Sequence, residues 1–324
     1  MKPARRKAFF LVTGCAFLAA WPAAAAEIYP TRPVRIVVGL APGGAADIIA
    51  RLMGQWLSQQ SGQQFIIENR TGAGTNIAAE AVVRAPADGY TLLLTTGANV
   101  INATLYEKLS FDFQRDIAPV VLLARDPHVM AVHPAVPAAT VPEFITLAKA
   151  NPGRITMASG GTGTTGHVAG ELFKMQTGVD LVHVPYRGAA PALSDLVGGQ
   201  VQIYFTPMSA AVEYIRNGRL RALAVTSATR SEALASVPTV SEFVPGFEAS
   251  QAYGIGAPRS TPAAIIEKLN VEMNAVLARP AVKARLAELG ETPLGGSSAD
   301  FARLIADEIE KWGRVVRFSG ARAE

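Results

Sequence analysis

The sequence contains a single cysteine, Cys15, which lies in an apolar stretch close to the N-terminus. Beyond that stretch the chain has no disulfide, no cysteine-ligated metal site and no cysteine nucleophile. It also lacks the G-x-S-x-G motif of serine hydrolases, a Walker loop and the H-E-x-x-H motif of metalloproteases. No two histidines have the i, i+4 spacing of a helical metal site; they are His128, His133, His167 and His183. We therefore expect no metal, no cofactor and no enzymatic activity.

Charged residues are scarce, at 17% of the chain, whereas hydrophobic residues make up 49%. This composition is typical of a globular protein with a large core, and the length of 324 residues suggests two domains. The formal net charge of +4 comes from the basic residues near the N-terminus, because removing the first 26 residues leaves 26 basic and 26 acidic residues. A chain without surplus positive charge lacks the compositional signature of a nucleic-acid-binding protein, so we expect no nucleic-acid partner.

The first 26 residues have the pattern of a secretory signal peptide. Basic residues precede an apolar run over residues 8–20, which is too short to span a bilayer, and an Ala-x-Ala cleavage site precedes Glu27. We expect a signal peptide over residues 1–26 and a periplasmic protein. Two alternatives remain open: an uncleaved membrane anchor, and lipidation of Cys15, because Val12-Thr13-Gly14-Cys15 resembles a lipobox.

Short β-rich apolar runs alternate with helical patterns, which predicts an α/β fold with mainly parallel sheets. Strands are predicted over residues 34–38, 65–68, 91–94, 120–123, 129–132, 155–158, 181–184, 201–205 and 220–225. Helices are predicted over residues 47–60, 142–150, 165–176, 190–197, 210–217, 262–278, 281–289 and 299–317.

Loops rich in Gly, Ser and Thr and poor in charge follow five of the predicted strands: residues 39–47, 69–76, 95–99, 159–166 and 206–209. Ligands of open α/β sheets bind at the carboxyl ends of the strands, where glycines let the backbone approach closely. The helix that follows each loop points free N–H groups at the ligand, which favours anions. The loops together predict a carboxylate or phosphate site built from neutral dipoles, although any single loop is equally compatible with a tight turn.

Two features of these loops need separate interpretation. Gly161-x-Gly163-x-x-Gly166 matches the dinucleotide-binding fingerprint, but it lies in mid-chain, and Asp180 precedes a predicted strand where the ribose-binding acid should end one. Export would also remove the protein from the cytoplasmic nucleotide pool. Asp47 lies at a helix start, which favours a cap for backbone N–H groups over a contact with an anionic ligand.

Several stretches of the sequence resemble the Bug/TctC family, the extracytoplasmic solute receptors of tripartite tricarboxylate transporters. They are residues 29–38, 41–47, 68–74, 87–94, 159–164, 183–188, 221–227 and 237–240. The resemblance covers nearly all of the chain after the signal peptide. It implies a two-lobed periplasmic-binding-protein fold of type II, each lobe a mainly parallel sheet flanked by helices. Lobe 1 would comprise residues 27–127 plus 248–324, with the C-terminal helices returning to it, and lobe 2 residues 128–247.

The resemblance also implies a site. One ligand carboxylate would be held by Pro42, Gly43 and Gly44, and the segment 159–164 would face it from the other lobe. With the strand-end loops, the candidate ligand-binding residues are Pro42, Gly43, Gly44, Ala45, Thr95, Thr96, Asn99, Ser159, Gly161, Thr162, Gly163, Thr164, His167, Arg187 and Thr206. Arg70 and Arg187 are candidate partners for a second carboxylate, or equally surface ion-pair residues.

The chain departs from the family pattern at Ala103, where many relatives have proline, and at Thr206, where many have aspartate. Without that acid, a di- or tricarboxylate or an aromatic acid is favoured over an amino acid. We expect a monomeric solute-binding protein that delivers a small organic acid to the membrane subunits of a tripartite transporter. The alternatives are an exported enzyme that uses Ser159 with His167, and a sensor-only receptor for a signalling system.

Overall fold

The computed structural model describes residues 29–323; the predicted signal peptide, its cleavage site and Cys15 lie outside the described residues. The strands are β1 (Val34–Val38), β2 (Phe65–Asn69), β3 (Thr91–Thr95), β4 (Ile117–Val132), β5 (Ile155–Ser159), β6 (Leu181–Pro185), β7 (Ile203–Pro207), β8 (Arg221–Val225), β9 (Ser250–Pro258) and β10 (Thr292–Pro293). The α-helices are α1 (Ala45–Ser61), α2 (Asn76–Val83), α3 (Gly97–Leu105), α4 (Phe113–Asp116), α5 (Val141–Ala150), α6 (Thr165–Thr177), α7 (Ala189–Val197), α8 (Met208–Arg216), α9 (Ala263–Leu277), α10 (Pro280–Glu288) and α11 (Ser298–Ser319). Within residues 29–323, no helix combines the length and the apolar character that a membrane crossing requires.

The strands form one mixed sheet in the order β2-β1-β3-β9-β4-β7-β5-β6, and β8 and β10 also pair with β4. The group β2-β1-β3 is parallel and falls in the expected lobe 1, and the group β7-β5-β6 is parallel and falls in the expected lobe 2. The long strands β4 and β9 lie between the groups, and every antiparallel pair includes one of them. The predicted two-lobed α/β fold is confirmed, with parallel pairing inside each lobe and antiparallel pairing at the strands that join them.

The C-terminal helices pack on lobe 1, as the family resemblance implies. Helix α9 packs against α1 and β4, and α11 packs against α3 and β4 while also touching α6 of lobe 2. Helix α11 buries Phe301, Ile305, Trp312 and Val316 in the core. The indole N–H of Trp312 donates to Glu308 one turn earlier, at 2.6 Å, which satisfies its only polar group.

Some elements differ from those predicted. The runs 120–123 and 129–132 are parts of the single strand β4, because Asp126 and Pro127 between them remain paired with β9. The sequence pattern does not predict β9, since Gly254 and Gly256 interrupt the apolar alternation; a Cβ at either position would meet a neighbouring side chain. Helices α2 and α3 are also additional, because they begin in loops rich in Gly, Thr and Asn.

The pairing of β4 changes partners inside the strand. Its residues up to Pro127 pair with β9 of lobe 1, and those from His128 onwards pair with β7 and β8 of lobe 2. Thr226 links this part of β4 to the residues just before β9. Its N–H donates to the His128 carbonyl at 2.8 Å, and its Oγ1 accepts the His128 N–H at 2.9 Å. Its carbonyl accepts the Ala249 N–H at 2.9 Å. The division of lobes at residues 127/128 and 247/248 remains a proposal, which this change of partners supports.

A buried pair of carboxyl groups lies beside the junction. Asp126 Oδ1 accepts the Met208 N–H at the start of α8, and Oδ2 accepts the hydroxyls of Ser209 and Tyr253. Burial raises the pKa of Asp126 to about 6. Burial and the neighbouring charge of Asp126 raise the pKa of Glu291 well above its ordinary value. Each carboxyl group therefore keeps its proton to a higher pH in the folded protein than in the unfolded chain.

This pair predicts a loss of stability at alkaline pH. Both carboxyl groups have a higher pKa in the folded than in the unfolded chain, so their contribution is complete below about pH 4 and is lost as the pH rises through about 6 for Asp126 and higher for Glu291. We expect Glu291→Gln, which is neutral at every pH, to raise the melting temperature at pH 8 by about 2–4 °C and to change it little at pH 4.

Melting temperatures of both proteins between pH 4 and 8, followed by circular dichroism, check this expectation. The exposed Glu267→Gln provides the control, because its carboxyl group lies on the surface of α9. Parallel curves for the wild-type protein and Glu291→Gln would contradict the assignment.

Candidate functional site

Five helices of both lobes begin at one cavity between the lobes. Their first turns or cap residues line it: Ala45 and Ala46 of α1, Thr96 and Ala98 of α3, Thr165 and Gly166 of α6, Ala189 of α7, and Pro207 before α8. A helix N-terminus carries unpaired N–H groups and a partial positive charge. The cavity is therefore electropositive from both lobes, and it suits a small anion.

The electropositive character does not come from basic side chains. Among the described residues that line the cavity, none is Arg, Lys, Asp or Glu; besides the helix starts, the lining consists of Leu40, Gly44, His128, Gly160, Thr164, Tyr204, Gln251 and Tyr253. His128 is neutral near pH 7, because burial lowers its pKa to about 3. The site thus offers backbone N–H groups, hydroxyls, an amide and a neutral imidazole, as the neutral-dipole hypothesis predicts.

The lobes are closed on each other. The Ala41 N–H, in the loop between β1 and α1, donates to the Arg187 carbonyl of lobe 2 at 3.1 Å. The cavity has a volume of about 20 Å³ for the centres of water molecules. A single water needs about 10–15 Å³ on this measure, so an organic acid can enter only when the lobes move apart.

A wider opening of about 480 Å³ adjoins the cavity, and Leu40 and Gly160 line both. The predicted residues Gly161, Thr162 and Arg187 lie at this opening. Arg187 is exposed there. Arg70 is also exposed, and it forms an ion pair with Glu68 at 2.6 Å, which accounts for it as a surface residue.

The loop between β1 and α1 is held by Asp47. The Gly43 N–H donates to Asp47 Oδ2 at 2.9 Å, and the same carboxylate accepts hydrogen bonds from Arg51 and Asn69. Burial alone raises the pKa of Asp47, but these three hydrogen bonds outweigh it and lower the pKa below its ordinary value. Of the predicted capping role, the structure shows one backbone hydrogen bond, from Gly43 before the helix, and no described side chain caps the first N–H groups of α1. The first N–H groups of α1, from Ala45 onwards, are those that the helix itself leaves unpaired.

The loop between β3 and α3 is held by a side-chain cap. The Thr96 N–H donates to Asn99 Oδ1 at 2.8 Å, and Asn99 Nδ2 donates to Thr75 Oγ1 at 3.0 Å. Thr96 lines the cavity, whereas the amide of Asn99 is engaged by the loops. Asn99 therefore positions the start of α3.

Two histidines support the loop between β5 and α6. Ser159 Oγ shares a hydrogen bond of 2.6 Å with His183 Nε2 and accepts the Gly161 N–H at 3.1 Å. His167 Nδ1 accepts the Gly163 N–H at 3.2 Å, and its ring stacks on that of His183 with centroids 4.1 Å apart. Burial lowers the pKa of His167 to about 3 and that of His183 to about 4, so both rings are neutral near pH 7. Ser159 thus pairs with His183, and His167 supports its own loop.

The structure separates the predicted ligand residues into three groups. Gly44, Ala45, Thr96 and Thr164 line the cavity, and Gly161, Thr162 and Arg187 line the outer opening. The others line neither surface. Thr95, Ser159 and Thr206 lie at strand ends, and Asn99 and His167 lie in the first turns of α3 and α6. Gly163 lies in the β5–α6 loop, and Pro42 and Gly43 are exposed in the β1–α1 loop. Direct contact of any of them with a ligand remains a prediction.

Sequence reasoning misses the part of the lining that comes from strands. His128 lies on β4, Tyr204 on β7, and Gln251 and Tyr253 on β9. The only signal available is the family resemblance, which implies that the chain passes between the lobes at residues 127/128 and 247/248. It does not indicate which of these side chains face the cleft.

The chain is similar to known solute receptors over almost its whole length. The family model of the tripartite tricarboxylate transporter family receptor, TctC, matches residues 49–320. Protein BugT of Bordetella pertussis is 36% identical over 300 residues, covering 92% of each chain. The structure of R. palustris Rpa4515 with adipate is 38% identical, with a TM-score of 0.89, covering 91% of this chain and 99% of that chain. MatC from Rhodopseudomonas palustris with bound malate is 32% identical, with a TM-score of 0.86, covering 89% of this chain and all of that one. The resemblance in the sequence is thereby confirmed, and the chain belongs to the TctC family of tripartite tricarboxylate transporter receptors.

Proposed function

We propose that the protein is an exported, periplasmic receptor that captures a small organic acid between its lobes and delivers it to the membrane subunits of a tripartite tricarboxylate-type transporter. The observation that carries this proposal is the convergence of five helix N-termini on a cavity whose described lining has no charged side chain. The adipate and malate of the two R. palustris structures support a carboxylate-bearing solute.

A carboxylate would be bound by charge-assisted hydrogen bonds from backbone N–H groups and hydroxyls. Each favourable helix terminus contributes about 0.3–1 kcal/mol when exposed, and up to about 2 kcal/mol when partly buried. Because these dipoles are fixed by the fold, binding requires no flexible Arg or Lys side chain to be ordered and desolvated.

We also propose that the protein is not an enzyme. A hydrolase that used Ser159 with His167 would need the serine hydroxyl next to that imidazole and open to the solute. Ser159 is fully buried, and its hydroxyl is engaged by His183 and the Gly161 N–H. This arrangement supports a structural role for Ser159.

Closure of the lobes is the event that lets a membrane partner distinguish loaded from empty receptor. Glycines lie where the lobes meet most closely. A Cβ at Gly74 would lie 2.7 Å from the Thr162 carbonyl oxygen, and one at Gly188 would lie 2.9 Å from the Ala41 nitrogen. A Cβ at Gly97 would collide with Thr165 Oγ1. The closed state therefore depends on backbone-to-backbone approach across the cleft.

A ligand panel tests the binding proposal. Binding to the folded state raises apparent stability by RT ln(1 + [L]/Kd), so a thermal-shift screen detects it. We expect adipate, malate or an aromatic acid such as benzoate to raise the melting temperature, and an amino acid such as aspartate not to. Nuclear magnetic resonance of the bound acid after prolonged incubation should show it unchanged. Failure of every carboxylate to bind, or its conversion to a product, would refute the proposed function.

Gly97→Ala tests the role of closure. Gly97 is the first residue of α3 and has no positive φ, so alanine suits the helix, and the added Cβ strains only the contact with Thr165 and Gln251. We expect at least tenfold weaker binding of the acid found in the panel, with an unchanged or higher melting temperature of the free protein. Small-angle X-ray scattering should show ligand-dependent compaction in the wild-type protein and a smaller compaction in Gly97→Ala.

Gly198→Ala is the matched control, because Gly198 has φ of −79° and its Cβ would approach only its own helix α7. Full affinity and full compaction in Gly97→Ala would mean that closure does not depend on this contact.

A further inference from the structure

Two buried polar atoms of the cavity lining have no hydrogen-bond partner in the described structure: His128 Nδ1 and Thr165 Oγ1. His128 is 1% exposed and Thr165 is fully buried. Buried donors and acceptors are almost always paired in native proteins, because an unpaired one loses its hydrogen bonds to water without replacement. Their position in the ligand cavity suggests that the solute supplies the missing partner.

Both side chains lie in the proposed lobe 2, His128 at its junction with lobe 1 and Thr165 against a helix of lobe 1. His128 lies at the point where β4 changes from lobe-1 to lobe-2 partners, and its backbone is bonded on both sides by Thr226. Thr165 is the first residue of α6 in lobe 2 and lies against Gly97 of lobe 1. A group bound by both would therefore link the junction to the closing edge.

We propose that His128 and Thr165 recognise the second carboxylate of a dicarboxylate, whose first carboxylate is held at the Gly44–Ala45 start of α1. This inference rests on the proposed carboxylate-binding function and assigns specificity within it. An imidazole N–H and a hydroxyl can both donate to a carboxylate. The described lining contains no acid to pair with an ammonium group, and the starts of α3 and α6 add positive potential at this end.

The buried state of His128 is compatible with this role. Its pKa of about 3 keeps the ring neutral, so the imidazole offers one N–H donor without bringing a fixed charge into the cavity. A second anionic group can then be bound by dipoles alone, as is proposed for the first.

The test compares two ligands of equal chain length by isothermal titration calorimetry. Adipate carries two carboxylates, and hexanoate carries one. We expect the wild-type protein to bind adipate at least tenfold more tightly than hexanoate. His128→Leu should weaken adipate at least tenfold and hexanoate less than twofold, because only adipate presents a group to the lost N–H. Thr165→Val, which keeps the shape of the side chain and removes the hydroxyl, should act in the same direction.

His133→Leu is the matched control, since His133 lies at a separate surface pocket of lobe 2 and should affect neither ligand. Equal losses for adipate and hexanoate in both cavity variants would assign His128 and Thr165 a structural role and overturn the inference. So would equal affinities of the wild-type protein for the two ligands. If 6-hydroxyhexanoate bound as tightly as adipate, the recognised group would be a hydroxyl and the assignment of a carboxylate would be wrong. Wild-type protein that bound none of the carboxylates in the panel would instead refute the proposed function itself.

Discussion

The constraint on which the structure depends is the concentration of helix N-termini around one buried point. Each terminus leaves N–H groups without partners inside the helix, and five such termini face one cavity. The chain balances part of this potential itself: Asp126 accepts the first N–H of α8, and Asp47 accepts an N–H of the loop before α1. Among the described residues that line the cavity, no carboxylate balances the starts of α3, α6 and α7. In the proposed function an anion from solution would complete the arrangement, and the fold itself would be the recognition element.

The two histidines that support the β5–α6 loop are neutral, like the lining itself. His167 and His183 are held neutral by burial, and they support the β5–α6 loop through a ring stack and hydrogen bonds to Gly163 and Ser159. A protonated imidazole at this place would add a fixed positive charge in low dielectric, at a large cost in folding free energy. Glycines in the loops around the cavity would let the backbone approach a ligand closely. They also let the two lobes approach each other, as the close contact of Gly74 with the Thr162 carbonyl illustrates.

The sequence predicts the fold better than it predicts the strand residues that line the site. Strands β1, β3 and β5 are indicated by compact apolar runs, and the Gly-rich loops after them are recognisable from composition alone. The cleft-facing residues of β4 and β9 are harder to predict. Strand β4 is buried on both faces for nearly its whole length, so its sequence shows no alternation that could identify a cleft-facing side. Asp126 even divides the β4 pattern into two apparent strands, although its carboxylate is needed there to cap a helix of the other lobe. A local pattern cannot indicate such a requirement, since Met208 is 82 residues away in the chain.

The same contacts support a hinge at this place. Two connections cross between the proposed lobes near Asp126 and Thr226: the carboxylate cap of α8 and the hydrogen bond between residues 226 and 249. The paired hydrogen bonds between residues 128 and 226 fix the lobe-2 side of this junction. Rotation that broke them would leave buried polar groups unpaired, at a cost of about 1–3 kcal/mol each. At the opposite edge, the Ala41–Arg187 hydrogen bond and contacts of glycine backbone cross the cleft, and these are readily replaced by water. We infer that the axis of opening passes close to the Asp126–His128 segment, which would place a ligand at the proposed His128 site near the pivot, with α6 and the β1–α1 loop closing over it.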